Sequence, residues 1–160
     1  LPNRVLFAER LHQSMAQARR HGYQLGVIYI DLDEFKPVND AFGHDAGDEL
    51  LIEMGRRMRT VLREEDTLAR LGGDEFAAIA VNVDGNEALE ALLERLLAVV
   101  VEPAWVADHS VAVSVSVGYT LYPQPEELDA DQLLRQADQA MYQAKREGRN
   151  RYCRFSENLS

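Results

Sequence analysis

Residues 70–76, Arg70-Leu71-Gly72-Gly73-Asp74-Glu75-Phe76, place two adjacent glycines and then two carboxylates inside an otherwise apolar stretch. Thr67 to Leu71 before the glycines and Phe76 to Val81 after them read as strands. Gly72-Gly73 is therefore expected to form a tight hairpin turn that needs positive φ. Such a turn projects Asp74 and Glu75 from a sheet edge. Glycines without a Cβ let a ligand approach the backbone, and a carboxylate beside that gap points to a metal carrying a phosphate. On turn chemistry alone the stretch is simply a hairpin, so its neighbours along the chain decide.

A second acidic break follows a strand. Leu25-Gly26-Val27-Ile28-Tyr29-Ile30 is nearly all apolar, as a strand covered on both faces would be, and it runs into Asp31-Leu32-Asp33. Asp31 and Asp33 share a face if the strand continues, and two like charges side by side are costly unless a cation lies between them. Alternatively, Asp33 caps the next helix. That helix, Phe35 to Phe42, tolerates Pro37 in its first turn and is followed by Gly43-His44-Asp45-Ala46-Gly47-Asp48. The helix after it carries Leu50, Leu51, Met54, Met58, Val61 and Leu62 on one face, with Asp48 expected in its first turn. Asn39 and Asp48 thus flank one loop, where an amide and a carboxylate can read a base edge; capping is the other reading of Asp48.

The remaining elements read as packing. Asn3 is expected to cap a helix that Gly22 ends, and Asn86 to cap a Leu-rich helix running through Val101. Val111 to Tyr119 alternates as a half-buried strand, and Leu133, Ala137, Ala140, Met141 and Ala144 mark a last amphipathic helix. That helix ends at Lys145-Arg146-Glu147-Gly148, with Arg149 just past the glycine and a final edge strand over Tyr152 to Phe155. Lys145 in such a place can also simply complement a helix C-terminus.

The 160 residues with 46% hydrophobic content fit one globular domain. A net charge of -10 argues against a nucleic-acid or anionic-membrane surface, and an anionic substrate would need cations to bridge it. The single cysteine, Cys153, fits a reducing compartment such as the cytoplasm and offers no metal cluster. The abrupt opening Leu1-Pro2-Asn3-Arg4 leads us to expect a domain excised from a longer, multidomain protein, including the cytoplasmic part of a membrane-anchored sensor.

Taken together, Asp31 to Asp40, Gly43 to Asp48 and Gly72 to Phe76 resemble the GGDEF family of diguanylate cyclases across essentially the whole chain. Ala144-Lys145-Arg146-Glu147-Gly148-Arg149-Asn150 is similar to that family's closing motif, and Leu1 to Arg4 to the end of its opening one. The resemblance implies a palm-like α/β (α+β) nucleotidyl-cyclase fold, with a central, mostly antiparallel sheet flanked by helices. It implies that Asp31 and Asp74 hold Mg²⁺ or Mn²⁺ with help from the Leu32 carbonyl, and that Asn39 and Asp48 bind guanine. Lys145, Arg149, Lys36, Phe35, Gly72 and Gly73 would then meet the rest of the GTP, and Glu75 would supply a second acidic group for metal contact or proton handling. The implied reaction condenses two GTP into cyclic di-GMP in a homodimer of half-sites, so the isolated domain is expected to associate weakly. Arg63-Glu64-Glu65-Asp66 falls in the register of the family's Arg-x-x-Asp inhibitory product site, although the bare pattern is ordinarily a surface ion pair. The alternative is a catalytically silent GGDEF domain that binds GTP or cyclic di-GMP and regulates a partner domain.

Overall fold

A computed structural model describes residues 1–156. The chain runs α1 (Arg4–His21), β1 (Gln24–Leu32), α2 (Phe35–Phe42), α3 (His44–Val61), β2 (Thr67–Gly72), β3 (Glu75–Val83) and α4 (Gly85–Val101). It continues through β4 (Ala104–Val106), β5 (His109–Val111), β6 (Val115–Tyr122), α5 (Ala130–Arg146) and β7 (Arg151–Arg154). Five strands form one sheet in the order β2-β3-β1-β6-β7, antiparallel except for the parallel pair β6 and β7. β4 and β5 form a separate small hairpin. This is the mixed α+β architecture with a mostly antiparallel sheet that the sequence implies.

β1 is central, and its apolar run is explained by cover on both faces. Leu25, Val27 and Tyr29 enter a core cluster with Phe7, Leu11 and Met15 of α1 and with Leu133, Ala137 and Met141 of α5. Ile28, Ile30 and Leu32 enter the opposite cluster with Leu50, Met54 and Met58 of α3 and Leu89, Leu93 and Leu96 of α4. Burying each such large aliphatic side chain stabilises the fold by about 1.5–3 kcal/mol, so the strand is pinned in register. Its two ends are fixed with it, and one of them carries Asp31.

Several local expectations change. α3 starts at His44, early in the Gly-His-Asp-Ala-Gly-Asp stretch, so Asp48, expected in its first turn, lies in its second and caps nothing. Asp84, not Asn86, occupies the N-cap position of α4; the Asn86 amide oxygen accepts from the Tyr119 hydroxyl at 2.6 Å instead. The alternating stretch from Val111 splits, with Val111 closing the small hairpin and β6 beginning at Val115. All eight residues of β6 are buried, because it lies between β1 and β7 with α5 across one face. Asn3 does cap α1, accepting from the Leu6 N–H at 3.0 Å, and β7 is the expected final edge strand. No helix of the described residues is long and apolar enough to cross a membrane.

β6 packs directly against α5 at Gly118, where a Cβ would sit 2.0 Å from the Met141 N and 2.1 Å from the Ala137 O. Both obstacles are helix backbone and cannot rotate away. Gly118→Ala is therefore expected to destabilise by at least the overpacking cost of about 1–3 kcal/mol. Equilibrium urea unfolding checks this, with a wild-type midpoint contradicting it.

Candidate active site

The ends of β1 and the β2–β3 hairpin are stitched together by backbone. Asp31 lies opposite Glu75 of β3 and Ser116 of β6. The Leu32 N–H donates to the Asp74 carbonyl at 3.1 Å, which draws the hairpin tip across the end of β1. The turn residues are Gly73 and Asp74, one position later than the sequence suggests, with Gly72 closing β2 and Glu75 opening β3. Gly72 has φ 147° and Gly73 φ 49°, so both glycines do occupy the positive-φ region. The Arg70 guanidinium donates to the Gly73 carbonyl at 3.1 and 3.2 Å and braces the tip.

This brings the Asp31 and Asp74 carboxylates against one another. Burial, then the Asp74 charge, push the Asp31 carboxyl up to about 7, against the opposing pull of the Lys145 ammonium. Asp31 Oδ2 lies 3.3 Å from Lys145 Nζ, whereas its Oδ1 is buried with no hydrogen-bond partner. Such an unpaired acceptor beside a second carboxylate fits a hard divalent cation such as Mg²⁺ or Mn²⁺. Among the described residues no three His, Cys, Asp or Glu side chains form a ready metal cage. A Mg²⁺ site built from two carboxylates and substrate phosphates needs none.

Asp31 and Asp33 share a face, as their spacing predicts, and the cation between them is Lys145, whose Nζ is 3.2 Å from Asp33 Oδ1. Asp33 does not cap α2. Glu34 holds the N-cap position in a left-handed conformation, φ 67°, with no side-chain cap. The first N–H groups of α2, around Phe35 and Lys36, therefore carry no capping carboxylate and suit a phosphate. Lys36 and Arg149 are exposed, while Phe35 is half-buried.

One turn along α2 from Phe35, the half-buried Asn39 has its Oδ1 buried without a partner. A Cβ on Gly47 would fall 1.7 Å from that oxygen and 3.3 Å from Phe35 Cζ. Gly47 thus lets α3 close onto Asn39, a role the sequence reading missed by treating Gly47 as loop. The next residue, Asp48, is exposed. Glu75 is half-buried, and its charge raises the Asp138 carboxyl of α5, second to burial.

Arg63 and Asp66 lie apart from this cluster in sequence, at the turn into β2. Asp66 is 5% exposed and caps two backbone donors, Arg63 N and Val81 N, each at 2.9 Å. The Arg63 guanidinium is half exposed, 3.9 Å from Asp66 Oδ2, and donates to the Val81 carbonyl. Asp66 therefore shapes the turn as well as facing Arg63.

The family model for the diguanylate cyclase GGDEF domain matches residues 1–151. The chain belongs to the GGDEF family. Its relatives include the bifunctional diguanylate cyclase/cyclic di-GMP phosphodiesterase MucR of Pseudomonas aeruginosa, 43% identical over 100% of this chain and 23% of that protein. The diguanylate cyclase TpbB of the same organism is 44% identical over 93% of this chain and 34% of that protein. The crystal structure of the TpbB GGDEF domain matches with a TM-score of 0.94 at 38% identity, covering 99% of this chain and 98% of that one. The GGDEF domain of DgcB from Caulobacter crescentus, in complex with c-di-GMP, matches with a TM-score of 0.88 at 29% identity over 96% and 88%. The chain spans about a quarter to a third of the length of MucR and TpbB.

The like-charge pair has a thermodynamic signature. A carboxyl whose folded pKa exceeds its unfolded value binds the proton more tightly when folded, so its contribution to stability is lost as pH rises through the folded pKa. For Asp31 that window runs from about pH 4 to about 7. Asp74→Asn removes the repulsion, and in chelator its Tm is expected to exceed that of the wild type at pH 8, with the gap closing by pH 5. Parallel Tm-against-pH curves for the two proteins would contradict the pairing.

Proposed function

We propose that this GGDEF domain is one half-site of a diguanylate cyclase that condenses two GTP into cyclic di-GMP with release of two pyrophosphates. The observation that carries the reading is that two of the three buried acceptors without partners among the described residues, Asp31 Oδ1 and Asn39 Oδ1, stand on adjoining elements; the third, Asp138 Oδ1, is on α5. One suits a cation and the other a base donor, and they lie on the elements β1 and α2 that meet at residues 33–34.

In this reading guanine lies between α2 and α3. Guanine presents N1–H and its exocyclic amine as adjacent donors, which one carboxylate at Asp48 accepts together, with Asn39 adding a further contact. Adenine lacks that donor pair. The phosphates lie over the backbone N–H groups at Phe35 and Lys36 and beside the Gly72-Gly73 turn, where the absence of side chains leaves room. Lys36, Lys145 and Arg149 supply positive charge. Asp31 and Asp74, with the Leu32 carbonyl, hold Mg²⁺ or Mn²⁺, which when bound acidifies the attacking hydroxyl and screens the phosphate charge.

Each domain holds one GTP, so two domains must meet face to face. The 3′-oxygen of one ribose then bonds to the α-phosphorus of the other nucleotide, and the bond to the pyrophosphate leaving group breaks. Glu75 pairs with Asp31 in the β1–β3 register, and in this reading it takes the hydroxyl proton or contacts the cation. The substrate and the lone free Cys153 fit a cytoplasmic setting. A silent regulatory domain would be expected to lack signature carboxylates; Asp31, Asp74 and Glu75 are all present, which favours the enzyme.

The product is expected to bind at Arg63, whose half-exposed guanidinium can fork onto the N7/O6 edge of a guanine, with Asp66 as the acceptor opposite. A two-fold symmetric ligand there would link two domains in an arrangement that keeps their half-sites apart.

In a tethered dimer with Mg²⁺ and GTP, mass spectrometry is expected to find cyclic di-GMP for the wild type and none for Asp74→Asn; equal turnover in both would remove Asp74 from the reaction. Asp48→Ala is expected to weaken GTP binding by about 1.5 to 3 kcal/mol and to narrow the preference over ATP. A constant GTP/ATP ratio in the weakened variant would contradict base reading. Arg63→Ala should weaken cyclic di-GMP binding and relieve inhibition at unchanged uninhibited turnover. Equal product affinity in wild type and Arg63→Ala, or inhibition fully reversed by GTP, would overturn the separate site. Asp66 is a poor probe here, because its loss would strip two backbone caps.

A further inference from the structure

Next to the proposed metal site lies a buried carboxylate to which the reaction assigns no role. Asp33 is 2% exposed and receives four donors. They are Ser114 Oγ at 2.5 Å, Ser116 Oγ at 2.7 Å, the Asn150 N–H at 3.1 Å and Lys145 Nζ at 3.2 Å. Its own N–H donates to the Ser114 carbonyl at 2.8 Å. A carboxylate offers about four lone-pair positions. Those of Asp33 are taken, in contrast with the open Oδ1 of Asp31, so Asp33 has no lone pair left for a metal. Burial alone would raise its carboxyl, but the donors outweigh burial and hold it below the ordinary value, so it is charged.

The four donors come from three separate places: the entry to β6, the last turn of α5 and the turn between α5 and β7. That last turn is built from conformations that need support. Gly148, Arg149 and Asn150 have φ of 126°, 65° and 49°. Two consecutive non-glycine residues in the left-handed region persist only where surrounding contacts hold them. On the near side of the turn the Arg149 N–H reaches the Ala144 carbonyl at 3.0 Å. On the far side the Asn150 N–H is held by Asp33. One carboxylate thus fixes the backbone immediately after Arg149 and the ammonium of Lys145.

We propose that Asp33 is the positioning residue for the triphosphate, setting Lys145 and the Arg149 turn in register with the end of β1 so that both cations meet the phosphates together. The proposal rests on the reading of Lys145 and Arg149 as phosphate contacts. Its physical content is the sharing of one ammonium. Lys145 lies between two carboxylates, and without the Asp33 charge it is left with Asp31, where its ammonium at Oδ2 repels a divalent cation on the same carboxylate. The turn carrying Arg149 loses its far anchor in the same change.

The test is calorimetric binding of 3′-deoxyGTP, which cannot condense, and of guanosine, which has no phosphates, both in Mg²⁺. Asp33→Asn is expected to weaken 3′-deoxyGTP at least tenfold while guanosine affinity stays within twofold of wild type. Lys145→Ala and Arg149→Ala should lower the same ratio. If they do not, the phosphate reading itself fails; if they do and Asp33→Asn keeps the wild-type ratio, the positioning role fails alone. Parallel losses for both ligands would mark a general packing role and also overturn it. Should Asp33→Asn not fold, Ser114→Ala removes the donor at 2.5 Å from a half-buried position. It is expected to lower the 3′-deoxyGTP/guanosine ratio severalfold at a near-wild-type Tm, and an unchanged ratio there would overturn the proposal.

Discussion

Two carboxylates held face to face against their mutual repulsion are the constraint on which the site depends. Asp31 and Asp74 are brought together by a backbone bond from Leu32 N–H to the Asp74 carbonyl and by the register of β1 against β3. Those contacts are affordable because β1 is locked by apolar packing on both faces, worth far more than the electrostatic strain at its end. The hydrophobic core thus stores a local electrostatic cost that a divalent cation would relieve.

Lys145 mediates that cost in the protein alone. Its ammonium is shared between Asp31 and Asp33, about equally by distance, but the two carboxylates are not equivalent. Asp33 is saturated by donors from three parts of the chain, and Asp31 keeps an open oxygen. The difference follows from position. Asp33 lies past the end of β1, where the entry to β6 and the α5–β7 turn surround it, whereas Asp31 faces the hairpin tip. Two acidic residues of one type, two apart, therefore differ in hydrogen bonding because different elements surround them.

Much of this was legible in the sequence. The apolar run from Leu25 to Ile30 requires a doubly covered strand, the glycine pair requires a positive-φ turn, and both expectations hold in the structure. The cap expected at Asn86, and the capping alternative for Asp48, fail for one reason: a polar residue near a helix start looks like a cap unless tertiary partners are known. Asn86 pairs with Tyr119, 33 residues away, and α3 starts earlier because Gly47 can pack against Asn39 inside a helix. The double role of Asp66 and the saturation of Asp33 depend on donors at Val81, Ser114, Ser116 and Asn150, distances that no local pattern encodes.

In the proposed half-site Asp31 and Asp74 form a cation site that nucleotide phosphates complete. Titration of Mn²⁺ followed by electron paramagnetic resonance, with and without 3′-deoxyGTP, tests it most directly. Weak Mn²⁺ binding to the protein alone is expected, with at least tenfold tighter binding with nucleotide and loss of that enhancement in Asp31→Asn. Equal Mn²⁺ affinity with and without nucleotide, or an enhancement that survives Asp31→Asn, would contradict it.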